Sequence, residues 1–231
     1  MLSRRPETAG CRLGKREYNT EKGLDMEGIF ITIEGPDGAG KTTQIELLRE
    51  YLEQKGYDSV VTREPGGTDI SEAIREIILN PEYREMSYMT ELLLYAAARA
   101  QLVNQIIRPA LESGKAVICD RFVESSAVYQ GIGRGLGVST VYEVNNYALG
   151  EVKPKLTIFM DLDAEDGIKR KQNQAALDRM EQEDIAFHMR VVEGYRKLAQ
   201  LYPDRIVPID ATLTVTEIHK KIVEEVENRF F

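Results

Sequence analysis

Cysteine and histidine are scarce, with two of each in 231 residues. Cys11 and Cys119 lie far apart and match no metal-ligand spacing, which argues against a disulfide framework or a cysteine-based metal site and suits a reducing, cytosolic compartment. His188 and His219 stand without an acidic or thiol partner and read as ordinary helix residues. No apolar run approaches the ~20 residues that span a bilayer, and residues 1–25 lack the apolar stretch of a signal peptide, so neither insertion nor secretion is expected. An excess of positive charge is also missing: Lys and Arg number 30 against 38 Asp and Glu, for a net charge of −8 and a pI near 5.1. That balance offers no footprint for a nucleic-acid polymer or an anionic membrane. Basic residues then need local explanations.

What is present is a glycine-rich phosphate cradle. Gly35-Pro36-Asp37-Gly38-Ala39-Gly40-Lys41-Thr42 satisfies G-x-x-x-x-G-K-[ST]. It follows the apolar run Ile29-Phe30-Ile31-Thr32-Ile33 and precedes a helical pattern at Ile45, Leu47, Leu48 and Leu52. A polyphosphate has to be wrapped by backbone N–H groups, and residues with little side chain let the chain come that close. The helix N-terminus then faces the phosphates, Lys41 reaches the β and γ groups, and the Thr42 hydroxyl can join a Mg²⁺ shell.

The rest of the chain alternates strand and helix, which predicts one α/β domain with a parallel sheet covered on both faces. Residues 1–25 are aperiodic and are expected to form a disordered leader, leaving residues 26–231 as the P-loop domain. The first helix should end at Gly56, and Ser59–Thr62 should form a strand delivering Arg63-Glu64-Pro65-Gly66-Gly67-Thr68 at its carboxyl end, the ligand edge of open α/β sheets. The Glu64–Pro65 bond in that turn is expected to be cis. Thr68 is a candidate N-cap for a helix with Ile70, Ile74, Ile77 and Ile78 on its apolar face. A longer helical region runs from about Thr90 to Ser113, with Pro109 predicting a kink near Arg108, and Tyr95 and Arg99 share one of its faces. Ala116-Val117-Ile118-Cys119 reads as a buried strand ending in Asp120-Arg121-Phe122, where Asp120 has the place of a metal-orienting carboxylate. Thr140 and Glu143 suggest a capping box, as do Thr214 and Glu217 before the last helix. Leu156–Met160 and Arg205–Ile209 complete five strands, with Pro208 marking a sheet edge and 2-3-1-4-5 the expected order. A basic run at Lys169, Arg170 and Lys171, followed by Asp178-Arg179-Met180-Glu181, reads as a lid over about residues 166–182.

Five pieces of this sequence, taken together, resemble the bacterial-type thymidylate kinases, P-loop nucleoside monophosphate kinases that phosphorylate dTMP with ATP. They are Glu34 through Thr43, Thr62 through Thr68, Tyr95 with Arg99, Asp120-Arg121-Phe122 through Gly131, and Asp178 through Glu181. The resemblance implies an ATP site at Gly35, Pro36, Asp37, Gly38, Ala39, Gly40, Lys41, Thr42 and Thr43, with adenine near Ala211. For dTMP it implies Asp37 at a sugar hydroxyl, Arg63 and Arg121 on the phosphate, Tyr95 against thymine and Arg99 at its O4. Ser126 and Tyr129 line base and sugar, and Glu64, Pro65 and Gln130 complete the set. Mg²⁺ is expected as cofactor at Thr42 and Asp120, and a homodimer as the assembly. Where some relatives carry a basic P-loop residue this chain has Gly38, so the lid is expected to supply the catalytic cation from Arg170 or Arg179, with Lys169 and Lys171 behind them, beside Lys41, Arg63, Asp120 and Arg121. The competing readings are a kinase for another nucleoside monophosphate and a non-catalytic nucleotide-dependent switch. The arginines at 63, 99 and 121 argue against the switch.

Overall fold

A computed structural model describes residues 28–171 and 177–231. The leader and the lid residues Gln172 to Ala176 lie outside the described residues. Strands β1 (Ile29–Glu34), β2 (Ser59–Arg63), β3 (Ala116–Asp120), β4 (Leu156–Asp161) and β5 (Ile206–Asp210) form one sheet. Its order is β2-β3-β1-β4-β5 and every pairing is parallel, as the alternating pattern predicts. Pro208 sits on the edge strand β5, where its missing N–H leaves the ladder to β4 intact.

The central strand β1 is buried along its whole length. Its side chains alternate between two cores, as a strand's period of two requires. Ile29, Ile31 and Ile33 meet Leu48 and Leu52 of α1 (Lys41–Gln54) and Ile218, Ile222 and Val226 of α9 (Val215–Phe230). Phe30 faces the other way, against Leu102 of α3 (Tyr88–Leu102) and Phe122. Each such aliphatic or aromatic side chain contributes about 1.5–3 kcal/mol by leaving water. The registers put both Ile33 and Arg63 opposite Asp120, so the tips of β1, β2 and β3 end level with one another.

Several local expectations hold. Gly56 and Gly114 take left-handed conformations after their helices, and the Glu64–Pro65 bond is cis. Thr68 caps α2 (Asp69–Leu79) through the Ser71 N–H, and Thr214 and Glu217 form a reciprocal capping box on α9. Pro109 is accommodated by a π turn at Val103–Ile107 ahead of α4 (Arg108–Glu112). There the Arg108 N–H bonds the Val103 carbonyl, so the register has already shifted where the proline lacks its donor.

Three differ. The long helical region begins at Tyr88 with Ser87 as its cap, slightly earlier than Thr90. The Thr140–Glu143 box is absent, because α6 (Val138–Leu149) starts at Val138 with no side-chain cap. Gly135 and Gly137, both at positive φ, turn the chain into helical geometry before it reaches Thr140, which falls inside the first turn. On α2 the apolar stripe is wider than the buried one: Ile78 is buried, but Ile70 and Ile77 are 56% and 44% exposed. The inward-facing residues of α2 are Ser71 and Ile78, seven apart, which turns the neighbouring isoleucines outward.

Candidate active site

The P-loop joins β1 to α1. Gly38 has φ 79, and a side-chain carbon there would lie 2.5 Å from the Gly167 carbonyl oxygen. Helix α7 (Ala164–Lys171) therefore packs directly on the loop, which leaves no room for a longer residue at position 38. Lys41 is the first residue of α1, whose N-terminus has no side-chain cap and no acidic residue in its first turn. Its Nζ donates to the carbonyls of Pro36 at 2.9 Å and Gly35 at 3.1 Å. Burial, then the nearby Arg121 cation, lower the Lys41 pKa to about 8.

Arg63, at the tip of β2, donates to Pro65 O at 3.0 Å and grips Glu72 with Nη2 at 2.9 and 3.0 Å. Arg121 follows β3 and is the one non-glycine residue at positive φ among the described residues, with φ 66. Such a conformation costs about 1–3 kcal/mol and persists only where its surroundings hold it. They do so here. The Arg121 N–H bonds Ile33 O at 3.0 Å, and the next N–H, of Phe122, bonds Glu34 Oε1 at 2.7 Å. Glu34 Oε2 accepts from Ser125 at 2.6 Å and Tyr195 at 2.8 Å. The Arg121 guanidinium then meets Asp37 Oδ1 at 2.7 Å and lies 5.4 Å from the Tyr129 ring centre. Burial, with Glu124 adding to it, raises the Glu34 pKa to about 7. Glu34 opens the P-loop piece without a role of its own in the sequence; its physical signal is a carboxylate ending a buried, mostly apolar strand.

Arg99 is 1% exposed. Nε donates to Glu64 Oε2 at 2.7 Å, Nη1 to Asn145 Oδ1 at 2.5 Å, and Nη2 to Phe122 O and Ser126 Oγ, each at 3.1 Å. Burial lifts the Glu64 pKa to about 7 despite the opposing Arg99 charge. Asn145 is a further residue the motifs do not reveal, since it reaches Arg99 from α6.

These groups line one cavity of about 530 Å³. Asp37, Gly38, Gly40, Lys41, Thr42 and Thr43 stand at one end with Arg63, Asp120 and Arg121; Glu64, Pro65, Tyr95, Arg99, Ser126, Tyr129 and Gln130 continue it. Arg170 lines it too, donating from Nη1 to Ala211 O at 3.2 Å and Gly38 O at 3.4 Å, which bridges the P-loop to the turn after β5. Arg179 is not brought there. Its Nε donates to Ile78 O at 2.8 Å and its Nη2 lies 2.7 Å from Glu91 Oε2. Lys169 pairs with Asp166 at 3.2 Å. Asp120 Oδ1 is buried and has no hydrogen-bond partner among the described residues. An orphaned carboxylate oxygen at a phosphate site fits a hydrated cation. No cluster of three or more His, Cys, Asp or Glu residues able to hold a metal occurs among the described residues, so a metal here would take its remaining ligands from phosphate and water.

Comparison with known proteins gives one family. The family model described as Thymidylate kinase matches residues 33–222. The thymidylate kinase of Exiguobacterium sibiricum is 48% identical over 201 residues, covering 87% of this chain and 95% of that protein. That of Geobacillus thermodenitrificans is 49% identical over 206 residues, covering 88% and 92%. A crystal structure of thymidylate kinase from Ehrlichia chaffeensis superposes with a TM-score of 0.69 at 33% identity, covering 86% of this chain and 98% of that one.

The Lys41 pKa has a consequence for anion binding. Below about 8 the ammonium is charged; as pH rises through that value in the free protein it is lost. Nucleoside triphosphate affinity, measured by titration calorimetry, should therefore fall between pH about 7 and about 9, by at most tenfold per unit. A flat profile would mean that the lysine keeps its charge.

Proposed function

The chain belongs to the thymidylate kinase family, and from that premise we propose that it transfers the terminal phosphoryl group of ATP to dTMP, giving dTDP and ADP, with Mg²⁺ as the metal. The observation that carries this reading is the single cavity joining a P-loop lysine, two arginines at strand tips and a pocket lined by Tyr95, Arg99 and Gln130.

A nucleoside monophosphate is already anionic at neutral pH, its second pKa being about 6, so its attacking oxygen needs no general base. The work left is positioning and charge neutralisation. Two phosphate groups a few ångströms apart repel by several kcal/mol at an effective dielectric of ~20. Arg63 and Arg121 hold the acceptor phosphate. Lys41 holds the donor's β and γ oxygens, together with the open N–H groups at the start of α1. Arg170, lying over the P-loop, supplies the lid cation. Asp120 and Thr42 would hold the metal, which when bound neutralises charge on the donor phosphates.

Base choice rests on Arg99. A guanidinium has five N–H donors and no acceptor. After its bonds to Glu64, Asn145, Phe122 and Ser126, the second N–H on Nη1 is left for the thymine O4 carbonyl. Cytosine presents an amino donor at that place and is rejected. Tyr95, four residues earlier on α3, supports the ring from the same helix face.

A cytoplasmic setting belongs to the same reading. It is supported by the buried free thiol of Cys119 and by the lack, among the described residues, of any helix long and apolar enough to cross a membrane. So does a homodimer: the packed helices α2 and α3 leave Ile70, Ile77, Met89 and Leu93 between 40% and 56% exposed, an apolar surface of the kind that marks an interface.

Two experiments test this. In an assay of ADP release with Mg-ATP, dTMP should turn over far faster than dCMP, AMP or GMP, and equal rates would remove the base argument. Sedimentation should give twice the 26.2 kDa chain mass, reduced to one chain by Ile77→Glu; a wild-type monomer would overturn the dimer.

A further inference from the structure

A second cluster of buried charge stands behind the nucleoside end of the cavity. Glu91 lies one turn before Tyr95 on α3 and is fully buried. Its Oε1 accepts from Gln130 Nε2 at 2.8 Å and Arg134 Nε at 3.3 Å; its Oε2 accepts from Arg134 Nη2 at 3.2 Å and pairs with Arg179 Nη2 at 2.7 Å. Arg134 also reaches Glu183 at 2.6 Å, and its guanidinium lies 4.9 Å from the Tyr88 ring centre and 4.8 Å from that of Phe187. Arg179 adds two bonds to the end of α2: its N–H to Leu79 O at 3.1 Å and its Nε to Ile78 O at 2.8 Å. Carbonyls in a helix's last turn lack in-helix donors and favour a cation.

One carboxylate thus ties together α3, the π turn at Ala127–Gly133 that carries Gln130, and residues 178–181 of the lid. Through Arg179 it also ties the end of α2. Each tied element contributes a wall of the same pocket: Tyr95 from α3, Gln130 from the π turn, Leu79 from α2 and Met180 from the lid. We propose that Glu91 and Arg179 are positioning residues that fix the spacing of these four walls, and that Arg179 acts on binding of the acceptor nucleotide and not on the transferring phosphoryl group. This rests on the functional reading above.

The geometry separates the two roles. To reach the phosphates, Arg179 would have to leave Ile78 O and strip a cation from a carboxylate that is 0% exposed. Breaking a buried ion pair from one side is costly because the other charge stays behind. Arg170 needs no such move, since it already lies over the P-loop. The cluster is balanced, with Glu91 and Glu183 against Arg134 and Arg179. Removing Arg179 alone leaves Glu91 paired with Arg134 and Gln130, so Arg179→Met is the cleaner probe than Glu91→Gln, which would take the carboxylate from Arg179 and leave Arg134 with Glu183 alone.

The test is calorimetry on the full chain with dTMP alone and with a non-hydrolysable ATP analogue alone, alongside steady-state kinetics. In Arg179→Met the dTMP Kd and KM should each rise at least tenfold. The Kd of the ATP analogue should stay within twofold of wild type, and kcat at saturating dTMP should fall less than threefold. Arg179→Lys, which keeps the charge facing Glu91 but not the Nε bond to Ile78 O, should recover part of the dTMP affinity. An unchanged dTMP Kd with a large fall in kcat would overturn the proposal in favour of a catalytic cation. An equal loss for both nucleotides, with a lowered Tm, would overturn it in favour of a general structural role. A wild-type chain that binds no dTMP would instead overturn the functional reading, and the proposal with it.

Discussion

Positive charge gathered at one edge of a sheet has to be held against its own repulsion, and that constraint organises this molecule. Lys41, Arg63, Arg99 and Arg121 all line one cavity. Two like charges 4 Å apart repel by about 4 kcal/mol at an effective dielectric of 20. Each cation accordingly has its own acceptors: backbone carbonyls for Lys41, Glu72 for Arg63, Glu64 for Arg99 and Asp37 for Arg121. The arrangement holds these four cations at one cavity without leaving any of the four uncompensated.

Sheet register turns this local chemistry into a site. Because Arg63 and Ile33 both stand opposite Asp120, the residues that follow β1, β2 and β3 emerge at one level. The P-loop, the Arg63 turn and the Arg121 turn are then neighbours in space although they are distant in sequence. Glu34 fastens the last of these turns. It sits under the Phe122 N–H, keeps Arg121 in its left-handed conformation and shares Ser125 with the Arg121 guanidinium, which approaches that hydroxyl at 3.4 Å. An arginine aimed by a buried carboxylate is held more stiffly than one on a free loop, because the carboxylate's burial makes every lost bond expensive.

Much of this was legible in the sequence where one residue type has one physical use. The P-loop glycines, the strand-end Asp120 and Arg121, the alternation of strand and helix and the edge proline all follow from spacing and period. What was not legible depends on which side of a helix turns inward and on which partner lies across a gap. Ile70 and Ile77 fit a helical stripe but face outward, since periodicity gives the face's width and not its partner. Thr140 and Glu143 have capping-box spacing, but the glycines upstream start the helix first. Arg179 sits in a motif beside cavity residues, and the pattern alone could not show that Glu91, far earlier in the chain, holds its guanidinium. Glu34, Glu91 and Asn145 escaped because buried polar residues declare their roles only through long-range contacts.

The central claim is that donor and acceptor phosphates share one cage of cations between Lys41 and Arg121. An analogue joining thymidine to adenosine through five phosphates measures this most directly, since linking two ligands that fit one site converts the second binding event into an intramolecular one. The account predicts a Kd at least about a hundredfold below that of the tighter single nucleotide, with ATP and dTMP each displacing the analogue. An analogue that binds no better than ATP, and that dTMP fails to displace, would contradict it.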